Sequence, residues 1–375
     1  MPTPLPSPAA TNLEPPEADE VALLSRGVVS AAGTPSGLTA TQRALVEAVF
    51  VAMTGHPARL DQGPISADEL ARGLAARNAQ FRNRILQVMV LVALVARPLA
   101  PEVAANLRRF AAEMSVDDGM LSVAQRFAAS DFGLAAFDFQ RNGYTAGWDP
   151  HAATALHTSS GLEDAWELVV DDPALADRWR ALEELPEESL GHHVTRFYRA
   201  RGFAYPGLVG SAPPLLAQHD WVHVLADYGT TVEAELEVFA FIARANDDPR
   251  AFSLLAMVVS LFETGYLRTG AGLFEASVGH LSHHGVTTRL ADAMRRGALC
   301  PGSTDFLATD WFALADLTLA DARRHFGVTD KSPAALAAGS VGPWEAGGIS
   351  PFQQAAGRSM AEAGGRPYDS FGATA

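Results

Sequence analysis

The sequence predicts an all-α protein, and three observations carry that expectation. Thr39-x-x-Gln42 and Ser66-x-x-Glu69 have capping-box spacing, and each opens a segment with apolar residues at helical period. Residues 81–96 form a mostly apolar run stopped by Arg97-Pro98, longer than an ordinary strand. No stretch between about residues 38 and 130 alternates apolar and polar residues between turn signals, as half-buried strands do.

Each element has its own signal along the chain. Residues 1–37 are read as a disordered arm, because the first twenty are Pro-rich and acidic. They lack the basic region and apolar core of a signal peptide. Pro101 suits the first turn of a helix that continues to about Met114, and Ser115 is placed as the cap of a segment reaching Ala129. Residues 38–141 thus form one helical bundle, ending where Gly143, Gly147 and Pro150 mark a linker. A second bundle spans 142–330, with helices expected over 162–170, 173–184, 192–201, 215–226, 232–245, 251–266, 287–299 and 317–326. Tyr205-Pro-Gly207 and Asp227-Tyr-Gly229 supply breaks between them. Residues 331–375, rich in Gly, Ala and Pro, are expected to be an irregular tail anchored by Trp344, Phe352, Tyr368 and Phe371. No repeat of fixed period is found.

Composition narrows the function classes. The 375 residues carry 28 basic and 43 acidic side chains, a formal charge of -15, which repels phosphate backbones and argues against a nucleic-acid partner. The single cysteine, Cys300, excludes a disulfide within this sequence, a Cys-rich zinc site and a self-ligated iron–sulfur cluster. Lys331 is the single lysine, so Schiff-base chemistry would rest on one residue. The apolar runs 85–96 and 251–262 fall short of the ~20 residues that cross a bilayer. A soluble cytoplasmic protein is expected, with peripheral membrane contact and homo-oligomerisation left open.

The segment His219-Asp220-Trp221-Val222-His223 concentrates the chemistry. On a helix, His219 and His223 lie on one face and offer ring nitrogens to the same ion. Asp220 reaches that side from the flank. Glu235 lies on the next helix, beyond the 227–229 turn, and faces the pair if the helices run antiparallel. Two histidines and two carboxylates suffice for a divalent transition metal. Spacing alone equally allows a solvated helix with paired charges, and Glu233, Glu235 and Glu237 crowd the segment.

The combined pattern resembles the signature of the coenzyme Q biosynthesis protein four family. The matching pieces are His219-Asp-x-x-His223, eleven residues, then Glu235; Leu185-Pro-Glu-Glu-Ser-Leu-Gly191 with Arg196-Phe-Tyr; Tyr228-Gly-Thr-Thr-Val-Glu-Ala-Glu235; Arg295-Arg-Gly297; and Asp310-Trp-Phe-Ala-Leu314 through Phe326-Gly-Val328. The likeness covers about residues 164–328. It implies a helical fold binding zinc through His219, Asp220, His223 and Glu235, with iron as the alternative that two histidines and carboxylates permit. It also implies a role in ubiquinone or related quinone synthesis: removing the carboxyl of a prenylated hydroxybenzoate, and assembling with other quinone-biosynthesis proteins. Ala234 departs from the usual Gly, and His192-His193 from an Arg-containing pair. Gly37-Leu-Thr-Ala-Thr-Gln-Arg-Ala-Leu45 and the 85–96 helix are similar to TerB-like tellurite-resistance domains.

Two readings of the whole stand side by side. One is a metal-dependent decarboxylase. The other is a non-catalytic module that binds a prenyl lipid and gathers partner enzymes, with the metal bracing two helices. Secondary features have plainer readings. His280-x-x-His283-His284 reads as the decorated C-terminus of a helix with no carboxylate set by spacing. His192 and His193 read as partly exposed. Thr269-Gly-Ala-Gly272 lacks the strand a phosphate loop needs. Leu254, Leu255, Val258, Val259 and Phe262 read as core, with some of that surface available as the wall of a prenyl tunnel.

Overall fold

The computed structural model describes residues 13–96, 99–116, 172–208, 214–245, 279–300 and 304–373, with residues 119, 121, 211 and isolated helical residues between 252 and 263. The expected helix 162–170, the 142–150 linker and the Thr269–Gly272 segment lie outside them. Among the described residues the structure is helical, and its extended pairings are two isolated bridges, Thr34 with Gly37 and Ser189 with Thr318. No helix among them is long and apolar enough to cross a membrane.

The N-terminal half holds α1 (Ala18–Ala32), α2 (Ala40–Thr54), α3 (Ala67–Gly73), α4 (Ala79–Leu94) and α5 (Pro101–Glu113). The Thr39–Gln42 box closes reciprocally around the start of α2, and Ser66 accepts from the Glu69 amide to start α3. Pro101 stands in the first turn of α5. Two expectations fail here. The arm expected over 1–37 holds a helix: α1 opens with a Glu17–Glu20 capping box and buries Val21, Leu24 and Val28, so its apolar stripe outweighs the proline-rich lead-in, while residues 1–12 lie outside the described residues. Most of the segment expected to reach Ala129 lies outside the described residues, but Ser115 is not its N-cap. Its φ is 53°, and Val116 donates back to the Ala111 carbonyl, so the residue terminates α5.

The C-terminal half holds α6 (Pro173–Ala181), a 3-10 turn at Leu182–Glu184, α7 (Leu190–Arg201), α8 (Pro214–Ala226), α9 (Val232–Ala245), α10 (Val286–Ala298), α11 (Leu319–His325), α12 (Pro333–Ala337) and α13 (Pro351–Ala363). The helices α9 and α10 pack closely along their length, and a Cβ at Gly297 would strike the Phe241 carbonyl oxygen. Only glycine permits that approach.

The halves share one continuous core, because α2 packs on α10 and Arg295 donates to the Val51 carbonyl at 2.9 Å. Of the tunnel-candidate stripe, Leu255, Val258, Val259 and Phe262 are buried in that core.

The tail is not irregular. Residues 351–363 form α13, opened by a Ser350–Gln353 capping box, and it packs on α7. Trp344 and Phe371 pack together at 5.8 Å, whereas Phe352 is exposed. The Gly/Ala/Pro composition hid a helix whose contacts are made by small residues: Gly357 sits against the Ala200 carbonyl at 2.5 Å from where a Cβ would stand.

Candidate metal centre

The helices α8 and α9 are joined by the turn 227–231, in which Asp227 adopts φ 65°. That turn is held from three sides. Gly229 donates to the Val341 carbonyl and Thr230 to the Gly348 carbonyl, at 3.0 and 2.9 Å. Arg201, fully buried, donates to Thr230 Oγ1 at 2.7 Å and to the Pro343 and Gly348 carbonyls at 3.0 Å. Burial lowers its guanidinium to about 9. The last carbonyls of α8 are taken by arginines from later in the chain: Arg323 on Leu225 at 2.8 Å and Arg296 on Ala226 at 2.8 Å. Cations suit that helix end on dipole grounds as well.

With both helices so fixed, three of the four predicted ligands converge. Nε2 of His219, Nε2 of His223 and Oε2 of Glu235 form a triangle, with Glu235 3.5 Å from His219 and 3.3 Å from His223. All three side chains are buried, and their candidate ligand atoms lie within 4.8 Å of one another. Asp220 stands at the edge, its Oδ1 3.6 Å from His219 Nε2, while its Oδ2 accepts from the Tyr198 hydroxyl at 2.5 Å.

The surroundings fix the imidazoles. His223 Nδ1 lies 3.3 Å from the Tyr228 carbonyl and its Nε2 lies 3.3 Å from Glu235 Oε2, so an N–H toward the carbonyl would leave Nε2 as the nitrogen available to an ion. His223 stacks on Phe197 at 5.5 Å, and His219 on Phe239 at 5.1 Å.

The two carboxyls are driven apart. Burial opposes charge on Glu235, but His223 and the contacts from both histidines overcome it and bring the carboxyl down to about 2. For Asp220 burial prevails over the histidines and the Tyr198 hydrogen bond, and its carboxyl is raised. Burial and the Asp220 charge also push the Tyr198 hydroxyl well above its ordinary value, so it stays a donor.

A divalent cation fits this donor set. Glu235 Oε1 is buried with no hydrogen-bond partner, an arrangement that costs energy in a protein interior and that a bound cation relieves. Two imidazoles and one carboxylate, with Asp220 beside them, are donor types that divalent transition ions accept.

Sequence reasoning missed Tyr198, Phe197, Phe239 and the arginines that hold α8. Tyr198 had a faint signal: it closes Arg196-Phe-Tyr, on a helix started by Ser189, whose hydroxyl accepts from the His192 amide. His192 and His193 stand in the first turn of α7, with His192 Nδ1 3.2 Å from the Glu183 carbonyl and the His193 ring 6.3 Å from that of Trp344. Desolvation and the nearby Arg196 hold His193 down to about 4. Cys300 is buried, and burial pushes its thiol up to about 12. A separate cavity lined by Leu13, Leu24, Phe50, Phe81 and Arg84 measures about 50 Å³, below the ~300 Å³ at which ligand pockets begin.

The His280 cluster departs from expectation. His280–Ser282 is a 3-10 turn ahead of α10, not a helix C-terminus, and a carboxylate does meet it: Glu233 of α9. The partner comes from 47 residues away in the chain, where local spacing gives no hint of it.

No family model matches the chain, and no curated protein matches it. Among solved structures, it is similar to one described as a "Putative ubiquinone biosynthesis protein" from Nostoc punctiforme PCC 73102. The identity is 22%, the match covers 56% of this chain and 97% of the other, and the TM-score is 0.32.

Proposed function

We propose that this chain is a divalent-metal protein of ubiquinone or related quinone biosynthesis that removes the carboxyl group of a prenylated hydroxybenzoate. The observation that carries the reading is the convergence of His219, His223 and Glu235, with Asp220 at its edge, from two helices that the sequence motif separates. The residue-by-residue resemblance to the coenzyme Q biosynthesis protein four family supplies the substrate class.

In the reaction the aryl–carboxyl bond breaks, carbon dioxide leaves, and the ring carbon takes up one proton from water in its place, so that a carboxylate and a proton become carbon dioxide and a ring C–H. A bound zinc or iron would supply a Lewis acid for the substrate's oxygen atoms. The chain's own part is to hold that ion and dry its surroundings. Tyr198 fixes Asp220 by its hydroxyl, the Tyr228 carbonyl fixes the tautomer of His223, and Phe197 and Phe239 exclude water from the imidazole faces.

One observation favours the second reading, a prenyl-lipid scaffold that gathers other quinone-biosynthesis proteins. His219, Asp220, His223 and Glu235 are all buried, and closed metal sites are more often structural than catalytic. Purified protein is mixed under air, with zinc or iron, with a prenylated hydroxybenzoate, and carbon dioxide is followed. Release by wild type and not by Glu235→Gln supports the decarboxylase. Binding of substrate and product alike without release supports the scaffold. Equal metal content in wild type and His223→Ala overturns both.

A further inference from the structure

Glu233 precedes Glu235 by two residues on α9, which places the two side chains about 200° apart around the helix. Glu235 therefore meets the α8 histidines, and Glu233 meets a different group on the opposite side. Its Oε1 lies 2.8 Å from His280 Nδ1 and 2.9 Å from His283 Nδ1. The three candidate ligand atoms are within 4.8 Å of one another, and the two imidazole centroids are 5.0 Å apart.

The turn that carries these histidines is independently fixed. Glu263 accepts from the Leu281 amide at 2.9 Å and from the Ser282 hydroxyl at 2.6 Å, and its own carbonyl takes the Gly279 amide at 3.0 Å. Ser282 also shares a 2.8 Å hydrogen bond with Thr41 of α2. The backbone thus holds both imidazoles toward one carboxylate oxygen before any ion arrives. His280 is mostly covered, but the His283 side chain is 56% exposed, so water has access to the remaining coordination positions.

We propose that Glu233, His280 and His283 form a second divalent transition-metal site, of the zinc class, distinct from the buried centre. Two histidines and a carboxylate are a sufficient protein set for such an ion when water completes the shell. The Nδ1 atoms that face Glu233 can turn their lone pairs to an ion when the ring protons sit on Nε2. Because the ligands come from α9 and from the turn leading into α10, the ion clamps two helices that pack closely along their length. Solvent access makes it the more exchangeable of the two sites.

The test uses the full chain, stripped with chelator and then titrated with zinc and, separately, with cobalt(II) for its absorption bands. After gel filtration, elemental analysis is expected to find about two ions per wild-type chain. It should find one in His280→Ala/His283→Ala and one in His223→Ala. Glu233→Gln and His283→Gln, which keep hydrogen-bonding side chains and a near-native shape, guard against misfolding of the double variant. Each is expected to weaken the second ion by on the order of a hundredfold. If wild type, the folded double variant, Glu233→Gln and His283→Gln all bind metal alike, the proposal is overturned. If those variants lose an ion while His223→Ala loses none, the second site stands and the buried centre is the reading that fails.

Discussion

The two faces of α9 make opposite use of the same residue type. Glu233, Glu235 and Glu237 succeed one another at intervals of two, so the helix sends the middle one to α8 and the outer two toward α10. Toward α8, Glu235 enters a closed chamber of buried imidazoles and aromatic rings. Toward α10, Glu237 is sealed in an ion pair with Arg289, whereas Glu233, one turn earlier, meets half-open histidines at the rim. One helix thus holds a buried cluster, a buried ion pair and an accessible cluster. Burial, not residue type, decides what each carboxylate can do.

The ion pair gives the largest expected effect. Arg289 meets Glu237 Oε2 through Nε at 3.0 Å and Nη2 at 2.5 Å, and both side chains are buried. Glu237→Ala leaves a guanidinium buried without its carboxylate and should cost ~3–5 kcal/mol in denaturant unfolding. Replacing both, as Glu237→Leu with Arg289→Met, should recover most of that loss. A single-variant cost below ~1 kcal/mol would mean that this face is wetter than its packing indicates.

Tyr198→Phe probes the closed chamber. It deletes one hydroxyl and strands Asp220 Oδ2. The expected loss is ~1–3 kcal/mol of stability, with a tenfold to hundredfold weaker hold on the ion, as for other outer-shell partners. Competition with a chelating dye measures the second effect. Unchanged affinity would show that Asp220 does not take part in ligation.

Acid titration of the metal-free protein separates the carboxylates by sign. Glu235 is held down to about 2 from an ordinary 4.5, so its stabilisation is fully present above 4.5 and is lost as the pH falls toward 2. Glu233 is lowered over the same range: burial resists its charge, and the hydrogen bonds from His280 and His283 overcome that resistance. Asp220, raised by burial, contributes in the other direction and opposes folding once it ionises. Glu235→Gln should therefore cost stability at pH 7 and little near pH 2, while Asp220→Asn should show its most favourable effect at pH 7. Parallel curves for wild type and Glu235→Gln would remove the assigned asymmetry.

Much of this arrangement could be read from local pattern. The bounds of α9 and the antiparallel placing of Glu235 against His219 and His223 come from periodicity and a turn, because helix geometry is local. The Glu233–His280 pairing could not be read that way, because nothing near either residue announces a partner so far along the chain. The tail was misread for a related reason. Its residues looked structureless by composition, yet the 341–348 loop satisfies the backbone of the 229–230 turn and Arg201 ties both to α7. Small residues pack well when a partner surface exists, and that surface is visible only in three dimensions.

The smallest expected effect tests whether the open face is built for stability at all. His283→Ala, measured in chelator, removes an imidazole that is 56% exposed and whose contact is with the rim carboxylate Glu233. Exposed ion pairs contribute ~0–1 kcal/mol, since water competes for both partners and the side chain gains freedom on release. The neighbouring His280 keeps its own hydrogen bond to the same Oε1 at 2.8 Å, so Glu233 is not left unpaired. The change should therefore stay under ~0.5 kcal/mol in the metal-free protein. With saturating zinc the wild type should gain stability that His283→Ala lacks, because an ion bound only by the folded state stabilises it as RT ln(1 + [L]/Kd). A large loss in chelator, equal to that in zinc, would make His283 a packing residue and erase the contrast between the two faces.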